Sequence, residues 1–449
     1  MNKTLKRKIF FGLLLSLVVL LFSCQKEDEE RILFLEKEEL DFSYDNNFLS
    51  FSINNNSDET MGWTASSNDG FICFSKSLGF LEVNASEKIV VSIKRNELEG
   101  DSISSEITIK TSTGDFHTIN VYISNYPENK IRVNYQILDA EYDKIHNRLF
   151  LLPIQHKFID IYNVDEKTFD RIDCSEFYFD IEVSADGKYL GATEVFADLS
   201  KIDIEKKEVV NQYDLKGEVE SFVYAPNNKV YLFPRYYNPC FQYIDLNSHQ
   251  ISTCDLNFIS DGMIAQLHPS GKYIYGITND WNIVKIDIQT EEPKLCYKLT
   301  SFNIGKFLWI PGDGNKIITS NKQILNINPD TTGNDITNAS NIDLPYYSFI
   351  HVEYNAKKAE YYIIASTNQG YAENTKLITY DNDFNFIKNI ELEPFCFINE
   401  DGKYYNLDAD ARYVFVDSSD QKLIIISQPE KRSQYSFIES GGIEIISDY

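Results

Sequence analysis

The 449-residue chain lacks the local signatures of most catalytic centres. Its six histidines, His117, His146, His156, His249, His268 and His351, stand singly, with no H-x-H or H-E-x-x-H spacing, so no zinc site is encoded locally. No cysteine pair has C-x-x-C spacing, and neither a G-x-S-x-G elbow nor a P-loop occurs. The local marks of thiol redox, α/β-hydrolase and nucleotide chemistry are therefore missing. Basic residues are few: 42 Lys and Arg stand against 68 Asp and Glu, a formal charge of −26. Such a field repels nucleic acid and anionic lipid. The acidic loops at Asp330 to Asp335 and Asp381 to Asn385 lack the trailing glutamate of a calcium loop and read as hairpin turns. No cofactor, no metal and no nucleic acid are expected as partners.

What the chain holds is a repeat. A polar turn followed at once by β-formers recurs seven times, as YDKIHNRLFLL from 142, SADGKYLGA from 184, APNNKVYLF from 225, HPSGKYIYG from 268, PGDGNKIIT from 311, NAKKAEYYII from 355 and DADARYVFV from 408. With Lys144, Asp186, Asn227, Ser270, Asp313, Ala356 and Ala409 as markers, the steps are 42, 41, 43, 43, 43 and 53 residues. Each repeat carries a second hairpin further on, from IDIYNVDEKTFDRI (159 to 172) to LIIISQPEKRSQYSFI (423 to 438). Four strands every forty-odd residues predict a seven-bladed β-propeller over 131–440, leaving 441–449 as a tail. The longer last step predicts an insertion around Glu393 to Tyr404 or a shifted turn.

These repeats resemble YVTN-type propellers, on Asp186-Gly187-Lys188-Tyr189 and Ser270-Gly271-Lys272-Tyr273 in the turns and Ile202-Asp203 and Ile286-Asp287 in the hairpins. The positions serve turns and strand pairing, so the resemblance implies the fold and no activity.

At the amino terminus Lys3, Lys6, Arg7 and Lys8 precede an apolar run from Ile9 to Phe22 that is too short to span a bilayer and has the shape of a secretory signal. It ends in Leu21-Phe22-Ser23-Cys24, which resembles a bacterial lipobox. That resemblance implies a signal over 1–24 and a diacylated Cys24 holding the protein to a membrane. The acidic tether 25–31, beginning Gln25-Lys26-Glu27-Asp28-Glu29-Glu30, resembles the surface-export tag of Bacteroidetes lipoproteins; a solvated spacer is the alternative. Both readings place the folded part outside the cytoplasm; the localisation expected is an outer-membrane lipoprotein exposed on the cell surface.

Residues 32–125 alternate apolar and polar in seven short runs split by turns, predicting an immunoglobulin-type β-sandwich. The order resembles the BACON-like modules of Bacteroidetes exported proteins, on Leu40-x-Phe42, Trp63, Val91-x-Ile93-x-Arg95, Gly100, Ile107-x-Ile109 and Ser112-x-Gly114. The second tryptophan of that pattern and its proline-glycine turn are absent. Trp63 is expected in the core, and 126–130 is expected as a linker. The fold class expected is thus all-β, a sandwich followed by a propeller.

Six cysteines follow Cys24; Cys174, Cys254 and Cys296 sit alike in three repeats and read as core thiols, and Cys240 and Cys254 flank one hairpin as the one plausible disulfide. For function, the loops from outer to next inner strand and from second to third strand share the face around the channel mouth, the usual binding face. On them stand Phe177, Tyr178, Phe196, Arg235, Tyr236, Tyr237, Trp281, Phe302, Tyr346, Tyr347 and Tyr371. Arg235, Tyr236, Tyr237, Trp281, Tyr346, Tyr347 and Tyr371 are the candidate ligand-binding residues, since flat aromatics beside polar side chains suit sugar rings; packing between blades is the competing role. The expectation is a glycan-binding surface lipoprotein. Its alternatives are a scaffold in a surface protein complex and a propeller polysaccharide lyase or glycosidase, whose catalytic residues the sequence does not locate.

Overall fold

The structure, a computed structural model, describes residues 33–98, 100, 102–127, 129–194, 198–215, 217–235, 241–254, 262–300, 304–331, 333–368, 372–398, 404–430, 440–447 and 449. They fall into two compact units that meet in the chain at Tyr126 and Pro127. Cys24 and the tether lie outside the described residues.

In the first unit, each of the seven runs read as strands is a strand, and Leu33–Leu35 and Leu78–Leu81 add two more. They form a four-stranded and a five-stranded sheet. All pairings are antiparallel except that of Glu39–Phe42 with Phe116–Ser124. Period-two alternation puts one side of each strand inward, as in Met61, Trp63 and Ala65. Leu33, Phe51, Ile89 and Val91 of one sheet share a core with Leu40, Phe42, Trp63, Ile107, Ile109 and Val121 of the other. Trp63 is buried there, its Nε1 donating to Glu87 Oε2 at 3.2 Å.

The second unit holds seven four-stranded antiparallel sheets. Six of the sheets run in chain order, the first being Ile137–Asp143, Arg148–Pro153, Phe158–Asn163 and Thr168–Asp173. Second and third strands are covered on both faces and so read as apolar runs, whereas outer strands such as Thr168–Asp173 are largely exposed. Seven apolar clusters join each sheet to the next, and the last joins the seventh to the first through Ile424, Ile426, Ile443, Leu149 and Leu151. The turn glycines Gly187, Gly271 and Gly314 have φ of 67°, 69° and 68°, the left-handed backbone that the polar turns require.

The seventh sheet corrects the sequence reading in three places. The segment Ala409–Val416 is its inner strand rather than its second, because the true turn is Asp417 to Lys422, where Asp417 Oδ1 accepts from the Gln421 and Lys422 amides at 2.7 and 2.8 Å. Residues 441–449 are not a tail: Gly441–Ile446 is the third strand, paired with Leu423–Pro429. The outer strand comes from the other end of the unit, Lys130–Val133, so Lys130 is not linker. Closing a ring with its two ends in one sheet removes the edges that open sheets expose. The extra residues before this sheet include the two-stranded hairpin Phe395–Ile398 and Tyr404–Leu407.

Among the described cysteines none is disulfide-bonded, and Cys174, Cys254 and Cys296 are half-buried rather than in the core, because outer strands have one uncovered face. Cys240 lies outside the described residues.

Candidate binding face at the channel mouth

The inner strands of the first two sheets carry acidic residues two apart, Asp139 and Glu141, and Asp180 and Glu182, and that of the third carries Glu220. In a strand, i and i+2 share a face, and here that face lines the channel, leaving each carboxylate half-buried. The Asp139 carboxylate accepts from the Ile181 amide at 2.9 Å, from its neighbour Ala140 at 2.9 Å and from Tyr413 Oη at 3.1 Å. The Tyr224 amide donates to Glu182 Oε1 at 3.2 Å. Among the described residues no ion pair reaches Asp139, Glu141, Asp180 or Glu182.

Crowding of like charge out of bulk water sets the protonation. Burial pushes the Asp180 carboxyl well above the usual range, and the Asp139 charge, with which it shares a hydrogen bond, adds to this. Burial likewise raises Glu141, helped by Asp139 and Glu182. It raises Glu182 as well, with the Tyr224 amide opposing. On the sixth inner strand, Ser348–Asn355, burial lifts Glu353 to about 7 and lowers His351 to about 4.

Over this acidic column sits a cavity of about 530 Å³. Glu220 lies on its wall between two cations, 3.3 Å from Arg235 Nε and 3.4 Å from Lys306 Nζ. Arg235 reaches Glu218 as well, at 3.7 Å. Phe179, Phe307 and Tyr413 supply apolar wall. The site is a mouth lined by rings, with fixed cations on one side and unpaired carboxylates below.

Of the seven residues expected at a ligand site, Arg235 is in this cavity. Tyr347 lines another, of about 350 Å³, where Lys376 Nζ stands 4.9 Å from its ring centre. Tyr346 is 91% exposed and Trp281 51% exposed. Both have positive φ, at 67° and 65°, and line neither cavity. The structure therefore does not gather these four at one point. Tyr236, Tyr237 and Tyr371 lie outside the described residues, as do Phe196 and Phe302. Tyr178, placed among the loop aromatics, is instead buried at the start of an inner strand, while Phe177 beside it is exposed. The carboxylate column was missed, although Asp139-x-Glu141 and Asp180-x-Glu182 spell it out once the inner strands are known.

No family model matches the chain, and no curated protein matches it. Among solved structures, it is similar to the β-propeller domain of Cps50 (Swd1) from Myceliophteria thermophila, with a TM-score of 0.54 and 11% identity over 72% of this chain and 100% of that one. It is also similar to a chain of the mitotic checkpoint complex, with a TM-score of 0.52 and 14% identity over 72% of this chain and 92% of that one. At such identities the likeness speaks for the fold alone: the chain contains a β-propeller.

Proposed function

We propose that the chain is a surface lipoprotein of Bacteroidetes type, anchored through Cys24. In this reading an immunoglobulin-like, BACON-type sandwich carries a seven-bladed, YVTN-like propeller, and the propeller is a non-catalytic protein-interaction module. Its channel mouth receives a positively charged segment of a partner protein. The observation behind this reading is that Asp139, Glu141, Asp180 and Glu182 have no ion pair among the described residues beneath a ring-lined mouth. A Lys or Arg side chain entering there would answer carboxyls that burial, helped by the charge of their neighbours, holds above the usual range at Asp180, Glu141 and Glu182.

A second reading, glycan capture on the same face, is favoured by the exposed Trp281 and Tyr346, since bare rings stack on sugar C–H faces. Fluorescence polarisation with labelled oligolysine and oligoglutamate peptides separates the two when run beside affinity electrophoresis on polysaccharides. Salt-sensitive binding of oligolysine alone, weakened by Asp180→Asn with Glu220→Gln, supports the proposal. Polysaccharide retardation abolished by Trp281→Ala, with no peptide bound, would replace it with glycan capture.

A further inference from the structure

The repeat allows one cleft to be compared with another in the same molecule. In the fourth sheet Tyr275, Lys285 and Tyr297 are register partners across the second, third and outer strands. Their polar ends meet one carboxylate, Asp335, from the turn before the outer strand of the fifth sheet. Lys285 Nζ is 2.7 Å from Asp335 Oδ2, Tyr275 donates to the same oxygen at 2.6 Å, and Tyr297 donates to Oδ1 at 2.5 Å. Lys285 also rests over the Tyr273 ring, 4.2 Å from its centre. A buried ammonium is tolerated there because a carboxylate answers it.

In the second sheet the same row reads Gly191, Lys201 and Asn211. Lys201 again rests over the tyrosine that follows the turn, Tyr189, at 3.7 Å, and is only 8% exposed. Here the matching turn of the third sheet, Leu246 to His249, offers no carboxylate. Asp186 and Asp203 act on Lys201 only from a distance, each holding its own lysine, Lys188 at 3.4 Å and Lys206 at 3.1 Å. No hydrogen bond or ion pair reaches the Lys201 ammonium among the described residues. Where the fourth cleft has two tyrosines and an aspartate, this one has a cavity of about 680 Å³ lined by Lys201. Tyr224 of the third sheet lines it too, 4% exposed and with its hydroxyl unpartnered. Gly191 makes room for that ring: a Cβ there would stand 2.5 Å from Tyr224 Cε2.

We propose that this cleft binds a small hydroxylated carboxylate, whose carboxylate takes the place that Asp335 fills in the fourth cleft. Lys201 Nζ is its charged donor, with the Tyr224 ring as wall. The lining amides of Asn211, Asn228 and Asn247 meet its hydroxyls, and the volume suits a molecule the size of a sugar acid. The cleft is built from inner-to-second and third-to-outer turns, at the end of the propeller opposite the mouth. It is independent of the mouth, and its failure would leave the peptide reading standing.

The test is titration calorimetry of the full-length chain in detergent micelles, with D-glucuronate as probe and D-glucose as neutral control. The parent binds glucuronate and not glucose. Lys201→Met keeps the apolar stem over Tyr189 and weakens glucuronate by at least about tenfold, because it removes the charge-assisted contact. Asn247→Asp supplies a carboxylate from within and abolishes binding without removing any packing. Absence of glucuronate binding at millimolar concentration, equal binding of glucose, or parent-like affinity in Lys201→Met overturns the assignment.

Discussion

Lys130 and Glu444 face each other across the two strands that close the propeller, Nζ 3.6 Å from Oε2, with side chains 0% and 1% exposed. Lys130 comes from the first strand of the unit and Glu444 from the last, so a buried ion pair fastens the two ends of this unit. The Lys130 ammonium stands 4.1 Å from the Phe395 ring centre as well. Removing one partner strands the other charge in the interior, which costs about 3 kcal/mol. Glu444→Gln is therefore expected to lower stability in urea by about that amount. The double change Lys130→Met with Glu444→Gln recovers most of the loss.

The same pair gives the stability a pH signature. Burial lowers Lys130 to about 8 and raises Glu444 to about 7. A carboxyl raised on folding contributes stability present below its ordinary value near 4.5 and lost as pH climbs through 7. A lysine lowered on folding contributes stability present above 10.5 and lost as pH falls through 8. The pair's contribution is thus lowest between 7 and 8, and this trough should vanish from a stability-against-pH curve of the double variant.

If Gly441–Ile446 closes the ring, it cannot be dispensed with. Deleting 441–449 uncovers Leu423–Pro429, which is buried throughout, and removes the partner of Lys130–Val133. The expected result is loss of the cooperative thermal transition followed by circular dichroism at 218 nm, the usual strand band. A disposable tail would leave the transition unchanged.

The first six sheets were legible because their turns repeat a chemistry that strands demand: Asn or Gly at positive φ in five of them and Ala359 in the sixth, then β-branched and aromatic residues covered on both faces. The seventh was misread because Asp408-Ala409-Asp410-Ala411 mimics such a turn, while its outer strand lies some three hundred residues upstream, where no local pattern can point to it. The candidate site suffered similarly. Aromatics in loops stand out in a sequence, whereas carboxylates from three inner strands converge only when the sheets pack, and Lys201 differs from Lys285 only in what the neighbouring sheet supplies.

In the first unit, Arg95 is 4% exposed and ties three segments together. Its guanidinium donates to Asn46 O at 2.9 Å, to Ser124 O at 2.6 Å, and to Asn47 Oδ1 and Asn125 Oδ1 at 2.5 and 3.0 Å. Arg95→Met keeps the stem but leaves those acceptors unanswered and should cost about 3 kcal/mol. Chemical denaturation of the full chain should show a lower midpoint for the transition that carries Trp63 fluorescence.

The channel gives a test of the mouth itself. Asp180, Glu141 and Glu182 all sit above the usual carboxylate range, so each contributes stability present below that range and lost as pH rises through its folded value. Lowering the pH from 8 toward the usual carboxylate range should therefore raise the melting temperature, opposite to the usual acid loss of a protein held by salt bridges. Asp180→Asn replaces a crowded carboxyl by a neutral amide of the same shape, which should raise the melting temperature at pH 8 by roughly 2 °C and flatten the slope. A bound oligolysine peptide should do the same by supplying positive charge, and in its presence Asp180→Asn should bring no further gain. If the peptide stabilises the parent and the variant equally, it does not sit over Asp180 and the mouth is not its site.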